Sequence, residues 1–391
     1  MKRFLFFLLS FVLVFSYLSF SCLASDDEEG GGALAQTAGT MEIDARGAIL
    51  IEASTGTVLF EQNADEAFPP ASVTKIMTLL LVMEALDAGR FTMNDPVPVS
   101  ERAASMGGSQ VFLSPGETLT VEDMIKCAVI SSANDAAVAL AEFVSGSEEA
   151  FVSEMNRRAS ELGMTNAHFE NVTGLDDTTT DHRCSARDIA MMSRELISHK
   201  DILKYSSTWM DSIRGGEFTL TNTNRLIRFY QGATGLKTGS TAKAKFCLSA
   251  TAERNGMTLI AVVMGSPSRD IRNEETKRLL DYGFANYAVF SRLPAELPSV
   301  KVNGGTSDAL RIGHDGFSAV VKRGEAEKIT TKIELRDSFT APIKEGETVG
   351  RAVFLSGDRV VGETPIKALG EVGRITFSFL LTKMFRALVL G

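Results

Sequence analysis

The chain has 391 residues, of which 44% are hydrophobic and 23% charged, and its formal net charge is -9. That length can bury at least one sizeable core and allows two or three domains. The negative balance disfavours a generic nucleic-acid binder, whose surface would be basic, so no nucleic-acid partner is expected. Met1-Lys2-Arg3 is a short positive start, Phe4 to Phe20 is almost wholly apolar, and Cys22-Leu23-Ala24 offers a small-residue cleavage site. Residues 1–24 therefore read as an export signal cut after Ala24. An uncleaved anchor is the alternative, because the apolar run approaches the length of a span. Either way the working part is expected outside the cytoplasm, peripheral on the outer face of the cytoplasmic membrane. Residues 25–44, acidic, then Gly-rich, then small and polar, read as a flexible leader.

Residues 45–292 carry the patterns of an α/β domain. Ala48 to Ile51 and Thr57 to Phe60 flank a Ser54-Thr55-Gly56 turn and predict a hairpin. Pro69-Pro70 stops the strand region. A helix is then predicted from Ser72 to Ala88, with Ile76, Leu79, Leu80, Met83 and Leu86 at helical spacing. A second, buried helix is expected over 121–144 and a third over 151–162. Residues 171–181 lack periodicity and read as a long loop, and 188–196 is helical again. Phe246 to Ala252 and Met257 to Met264 are apolar strands joined by a hairpin signal at Glu253-Arg254-Asn255-Gly256, with a covering helix over 274–287. Helices around hairpins imply an antiparallel sheet flanked by helices.

Composition shifts at Leu293-Pro294, and residues 293–369 show short alternating runs with Gly-rich turns, the pattern of a small all-β domain. Residues 370–391 end in an apolar stretch broken by Arg374, Lys383, Arg386 and two hydroxyls, which share about half of a helical wheel. This predicts an amphipathic helix lying on a membrane surface; the alternative is a helix packed on its own domain. The stretch is short and charged for a span.

Four cysteines include Cys22, which leaves with the signal. Cys127, Cys184 and Cys247 remain, an odd number, so at least one is unpaired within the monomer. Cys127 and Cys247 sit in apolar runs and read as core residues. Cys184, with His182 close by, admits a reading as a nucleophile. The histidines at 168, 182, 199 and 314 show no metal-ligand spacing, so no metal or cofactor is expected.

Three short patterns carry chemistry. Ser72 and Lys75 stand three apart at a helix start, which puts both side chains on one face. A serine becomes a nucleophile when a base takes its proton, and a lysine is such a base once burial and a second cation lower its pKa. Lys237 is a candidate second cation. Read alone, the pair is more simply a helix-capping Ser72 and a solvated Lys75. Ser132 and Asn134 are polar groups in an apolar helical stretch and need partners there; they fit proton relay and substrate positioning, or a plain interhelical bond. Lys237-Thr238-Gly239 precedes two strong strands and fits an edge strand that pairs with an extended peptide, with Gly239 allowing close approach.

Ser72-Val73-Thr74-Lys75, Ser132-Ala133-Asn134 and Lys237-Thr238-Gly239, in this order, are a motif set of penicillin-binding proteins and class A β-lactamases. The chain resembles the D-alanyl-D-alanine carboxypeptidases, the low-molecular-mass penicillin-binding proteins, over nearly all of its mature length. The resemblance implies a multi-domain α/β chain: a serine β-lactamase/DD-peptidase-like domain, then a small all-β domain. It also implies an acyl-enzyme on Ser72, Lys75 as general base, and Ser132 assisting proton transfer. Asn134 would position substrate, Lys237 and Thr238 would bind its terminal carboxylate region, and Arg272 would be a further carboxylate hook. Backbone N–H groups of Ser72 and Ser240 would form the oxyanion hole. The implied partners are a peptidoglycan stem peptide, β-lactam antibiotics, and a membrane surface through the terminal helix.

The chain departs from the family wording in places. Ala133 stands where class A lactamases have Asp, which favours the carboxypeptidase branch. Lys245 follows Ala244 where the family often has Gly, and the segments Asn171 to Leu175 and His182 to Ala186 also differ; these bear on substrate preference and turnover. A β-lactamase or DD-endopeptidase on the same fold, or a silent penicillin-binding sensor, are the competing readings.

Overall fold

The computed structural model describes residues 41–390, so the expected signal peptide, Cys22 and the leader up to residue 40 lie outside the described residues. Strands β1 (Gly47–Glu52) and β2 (Val58–Gln62) form the expected antiparallel hairpin. Its turn is fastened by the buried Glu52 carboxylate, which accepts from the N–H and hydroxyl groups of both Ser54 and Thr55.

A 3-10 turn over Ala71–Thr74 leads into helix α1 (Lys75–Asp87). Ser72 thus lies in the tight turn before the regular helix, and Ala71 before it is held at φ 49°, a left-handed conformation costly for a residue with a Cβ. Helix α1 is buried on almost every side, Lys75 included. Around it pack α2 (Val121–Ile130), α3 (Asn134–Ser145), α4 (Glu148–Glu161) and α5 (Ala186–Leu196). Thr120, Ser147 and Ser185 cap α2, α4 and α5, each accepting an N–H three residues on.

The single helix expected over 121–144 is two. The chain breaks at Ser131–Ala133, and Ser132 adopts φ 63°. The break is held from outside: Asn134 N–H donates to Ser109 O at 2.7 Å, and the Asp135 carboxylate accepts the N–H groups of Val111 and Leu113. Apolar periodicity runs straight through, so these partners are invisible in the pattern.

Strands β3 (Ala233–Thr241), β4 (Lys245–Arg254) and β5 (Met257–Ser266) complete a five-stranded sheet in the order β2-β1-β5-β4-β3, with every neighbouring pair antiparallel. Alternation assigns its faces. Ile49, Ile51, Ile260, Val262 and Met264 join the core of the helical layer. Leu50 and Leu259 point the other way, under Gly283 of helix α6 (Arg269–Asn286). Burial on both faces explains why β5 reads as a continuous apolar run. Helix α6 starts at Arg269 rather than Glu274, because Ser268 Oγ accepts from Ile271 N and caps it there.

The second sheet system begins with β6 (Tyr287–Arg292), followed by β7 (Ala295–Asn303), β8 (Ala309–His314), β9 (Phe317–Lys322), β10 (Ile329–Leu335), β11 (Ser338–Thr340), β12 (Thr348–Ser356) and β13 (Arg359–Ala368). β6 pairs with β9, and the other strands form a six-stranded sheet in the order β10-β12-β13-β8-β7-β11. It has its own core, in which Phe317 and Phe354 stack at 4.5 Å. The chain ends in α7 (Phe377–Leu390), where Phe377, Leu381, Met384, Phe385, Leu388 and Val389 are exposed. No helix among the described residues is long and apolar enough to cross a membrane.

The turn between β3 and β4 places Lys245 at φ 57°, which accounts for the glycine often found there in the family. Lys245→Gly is expected to raise unfolding stability by about 0.5–1 kcal/mol, the left-handed penalty less the entropy of glycine, measured as a higher urea midpoint at unchanged slope.

Candidate active site

The three sequence patterns meet at one end of the sheet, between the start of α1, the α2–α3 break and the edge strand β3. They border a cavity of about 590 Å³ whose lining includes Ser72, Ser132, Thr238, Ser240 and Arg272. Strand β3 crosses close to the Ser72 turn because Gly239 lacks a side chain. A Cβ there would lie 2.8 Å from Pro70 O and 3.0 Å from Ser72 N, nearer than atoms can sit. Glycine is thus required by close backbone approach, as the sequence implies.

Lys75 Nζ lies 3.0 Å from Ser72 Oγ, 2.6 Å from Asn134 Oδ1 and 3.0 Å from Thr173 O. The three neighbours satisfy either protonation state. A neutral amine donates its two hydrogens to Asn134 and Thr173 and keeps its lone pair for the Ser72 hydroxyl. Burial pushes the Lys75 pKa well below the ordinary lysine value, and the charge of Lys237 adds to this; Asp135 opposes both. Asn134 spends one amide hydrogen on Gly107 O, at 2.7 Å, which fixes its oxygen toward Lys75.

Lys237 points inward from β3 and is buried, while its neighbour Thr238 faces the cavity, as strand alternation requires. Lys237 Nζ donates to Ser132 Oγ at 2.8 Å and to Thr238 O at 3.0 Å. Ser132 therefore bonds directly to Lys237. Burial first, then the positive charge of Arg272, brings Lys237 down to about 7. Thr238 Oγ1 donates to Thr223 Oγ1 at 2.7 Å. Arg272 is buried, and among the described residues its guanidinium donates only to neutral oxygens, Asn273 Oδ1 and Cys247 O. Burial lowers it to about 10, with Arg269 adding to the effect.

Strand β3 is a sheet edge, but only part of that edge is open. Ser206 Oγ donates to Thr234 O at 2.6 Å and Asn224 Nδ2 donates to Gly235 O at 2.8 Å, so side chains satisfy its first half. The stretch from Thr238 to Ser240 is the part that borders the cavity.

The loop from 171 to 181 closes the other side. Thr173 O holds Lys75, and Gly174 takes φ +80° against Ala71 O, where a Cβ would clash. Asp176 accepts from Thr241 Oγ1 and, through its main-chain oxygen, from Lys243 Nζ at 2.7 Å, tying the loop to the β3–β4 turn. His182 braces the loop from behind. Its Nδ1 accepts from Glu170 N, so Nε2 carries the proton and donates to Thr74 Oγ1 at 2.8 Å. Burial lowers His182 to about 4 and keeps it neutral. Cys184 is wholly buried and its thiol is pushed up by desolvation, which overturns the nucleophile reading. Cys127 and Cys247 are likewise buried and unpaired.

Sequence reasoning missed the Thr173 carbonyl, Ser109, Trp209, Arg225 and Arg269. A carbonyl carries no residue signature. Arg269 stands in the first turn of α6, ahead of the expected helix start, and no sequence pattern marks it.

A model of the D-alanyl-D-alanine carboxypeptidase family matches residues 34–268, and one of the penicillin-binding protein 5 C-terminal domain matches residues 295–374. D-alanyl-D-alanine carboxypeptidase DacF of Bacillus subtilis is 44% identical over 85% of this chain and 88% of its own. DacC of Escherichia coli is 34% identical over 86% of each. Among solved structures, penicillin binding protein 5 of Haemophilus influenzae superposes with TM-score 0.75 at 30% identity, over 85% of this chain and 99% of that one. Penicillin-binding protein D2 of Listeria monocytogenes, in its ampicillin-bound form, gives 0.58 at 31%, over 63% and 100%. On these matches and this geometry, the chain belongs to the D-alanyl-D-alanine carboxypeptidase family.

Proposed function

We propose that the protein is a serine D-Ala-D-Ala carboxypeptidase that removes the terminal D-alanine from peptidoglycan stem pentapeptides through an acyl-enzyme on Ser72. The carrying observation is the 3.0 Å contact between Ser72 Oγ, on the cavity wall, and a Lys75 amine enclosed in a site that disfavours its charge. Neutral Lys75 takes the Ser72 proton as Oγ attacks the penultimate carbonyl. Backbone N–H groups of Ser72 and Ser240 receive the developing oxyanion. Ser132, bonded to Lys237, passes a proton to the departing amine, and D-alanine leaves. Water then attacks the ester and frees Ser72. Thr238, Arg272 and the charge of Lys237 behind them attract the substrate's terminal carboxylate. The same groups receive a β-lactam, whose ring carbonyl acylates Ser72.

We place the mature chain outside the cytoplasm, resting on the membrane by α7. Support comes from the apolar N-terminal segment and from the terminal helix, whose large apolar side chains are exposed rather than packed on the β domain, with Lys383 and Arg386 beside them.

Incubating residues 25–369 with penicillin is expected to give a stable covalent adduct that Ser72→Ala abolishes, together with D-alanine release from a stem pentapeptide. An adduct without release would indicate a sensor, and rapid recovery of free enzyme from penicillin a β-lactamase.

The pH dependence of kcat/KM is expected to have two limbs. It rises with pH as Lys75 gives up its proton and falls as Lys237, near 7, loses the charge that attracts the carboxylate. Lys237→Arg keeps that charge and should remove the alkaline limb in stopped-flow acylation; an unmoved limb would separate Lys237 from carboxylate binding.

The mature chain is expected to co-sediment with phosphatidylglycerol vesicles, and the Phe385→Glu, Leu388→Glu double variant to stay in the supernatant. Equal sedimentation of both would rule out α7 as the membrane contact.

A further inference from the structure

One terminal carboxylate does not account for the charge gathered at the inner end of the cleft. Arg225, Arg269 and Arg272 all line the cavity, with Lys237 behind it, and no Asp or Glu is among the lining residues. Arg269 and Arg272 are three apart in the first turn of α6 and so share a face. Among the described residues, Arg225 and Arg269 make no ion pair and no side-chain hydrogen bond. Asp270, next to Arg269 in sequence, is exposed and does not line the cavity. The charges of Arg269 and Arg225 lower Arg272, and that of Asp270 opposes them. Trp209 lines the same cavity, and its buried indole N–H has no acceptor. Like Arg225 and Arg269, it is a donor without a partner among the described residues.

Three arginines and an unpartnered indole N–H, with no carboxylate among the lining residues, describe a pocket for an anionic side chain. We propose that this end of the cleft is an acidic-residue subsite: beyond D-alanine, the enzyme releases a D-amino acid whose side chain bears a second carboxylate, held by Arg225 and Arg269. This rests on the carboxypeptidase reading, since it concerns the residue that leaves. The chemistry is unchanged. Ser72 Oγ bonds to the penultimate carbonyl carbon, the C–N bond breaks, the departing amine takes a proton through Ser132, and water later hydrolyses the ester.

The test compares diacetyl-L-Lys-D-Ala-X substrates in which X is D-Glu or its neutral isostere D-Gln, with D-Ala as reference. The wild-type chain is expected to favour D-Glu over D-Gln in kcat/KM by about tenfold, corresponding to about 1.4 kcal/mol. Arg225→Gln with Arg269→Gln should bring that ratio near unity. Arg225→Lys with Arg269→Lys should keep most of it, and added salt should weaken it. Equal wild-type rates for D-Glu and D-Gln, or a ratio that the Gln variants leave in place, would overturn the subsite. Penicillin labelling and D-Ala release by the same wild-type preparation separate the two failures: if both occur without the D-Glu preference, only the subsite falls; if neither occurs, the carboxypeptidase reading falls with it.

Discussion

Two amines buried in one small site constrain everything around them. Lys75 and Lys237 are both shut away from solvent, and each charge disfavours the other. The arrangement holds because each amine has oxygen partners, and because Asp135, fastened by main-chain N–H groups, supplies an opposing charge. The consequence for stability has a definite sign. Both folded pKa values are depressed, so the unfolded chain binds more protons between those values and the free lysine value of about 10.4. Lys237 therefore favours the folded state more as pH rises from about 7 through that window, Lys75 acts in the same direction, and both count against the fold on the acid side.

The scaffold is organised around that cost. Helix α1 delivers Lys75 to the centre of the helical layer, the α2–α3 break turns Ser132 and Asn134 toward it, and β3 brings in Lys237 from the other side. Left-handed backbone at Ala71 and Ser132 lies next to the reacting groups, where surrounding contacts hold conformations that would relax elsewhere. Loop 171–181 adds a carbonyl to Lys75 and is itself pinned by His182 and by Asp176.

Much of this was legible in the sequence because the decisive residues are side chains in compact patterns. Ser72 with Lys75, and Ser132 with Asn134, announce themselves by polarity inside apolar periodicity, and the hairpins by turn residues between apolar runs. What stayed hidden lies in backbone and in distant partners. The helix break at Ser132 is imposed by Ser109 and by the N–H groups of Val111 and Leu113, over twenty residues away in the chain. The inward direction of Lys237 follows from β3 alternation, which a three-residue motif cannot show. Arg225 and Arg269 belong to no pattern and are recognisable only once the cavity gathers them.

The half-closed edge of β3 has a consequence of another kind. A strand that offers unpaired backbone to a peptide also offers it to any partly folded neighbour, and open edges seed sheet growth between molecules. Here Ser206 and Asn224 occupy carbonyls of the first half, and the Ser72 turn abuts Gly239. What stays reachable is a few residues long, flanked by protein and rimmed by Lys243 and Lys245. That length is too short to template a second strand, so the open edge gives little purchase for sheet growth between molecules.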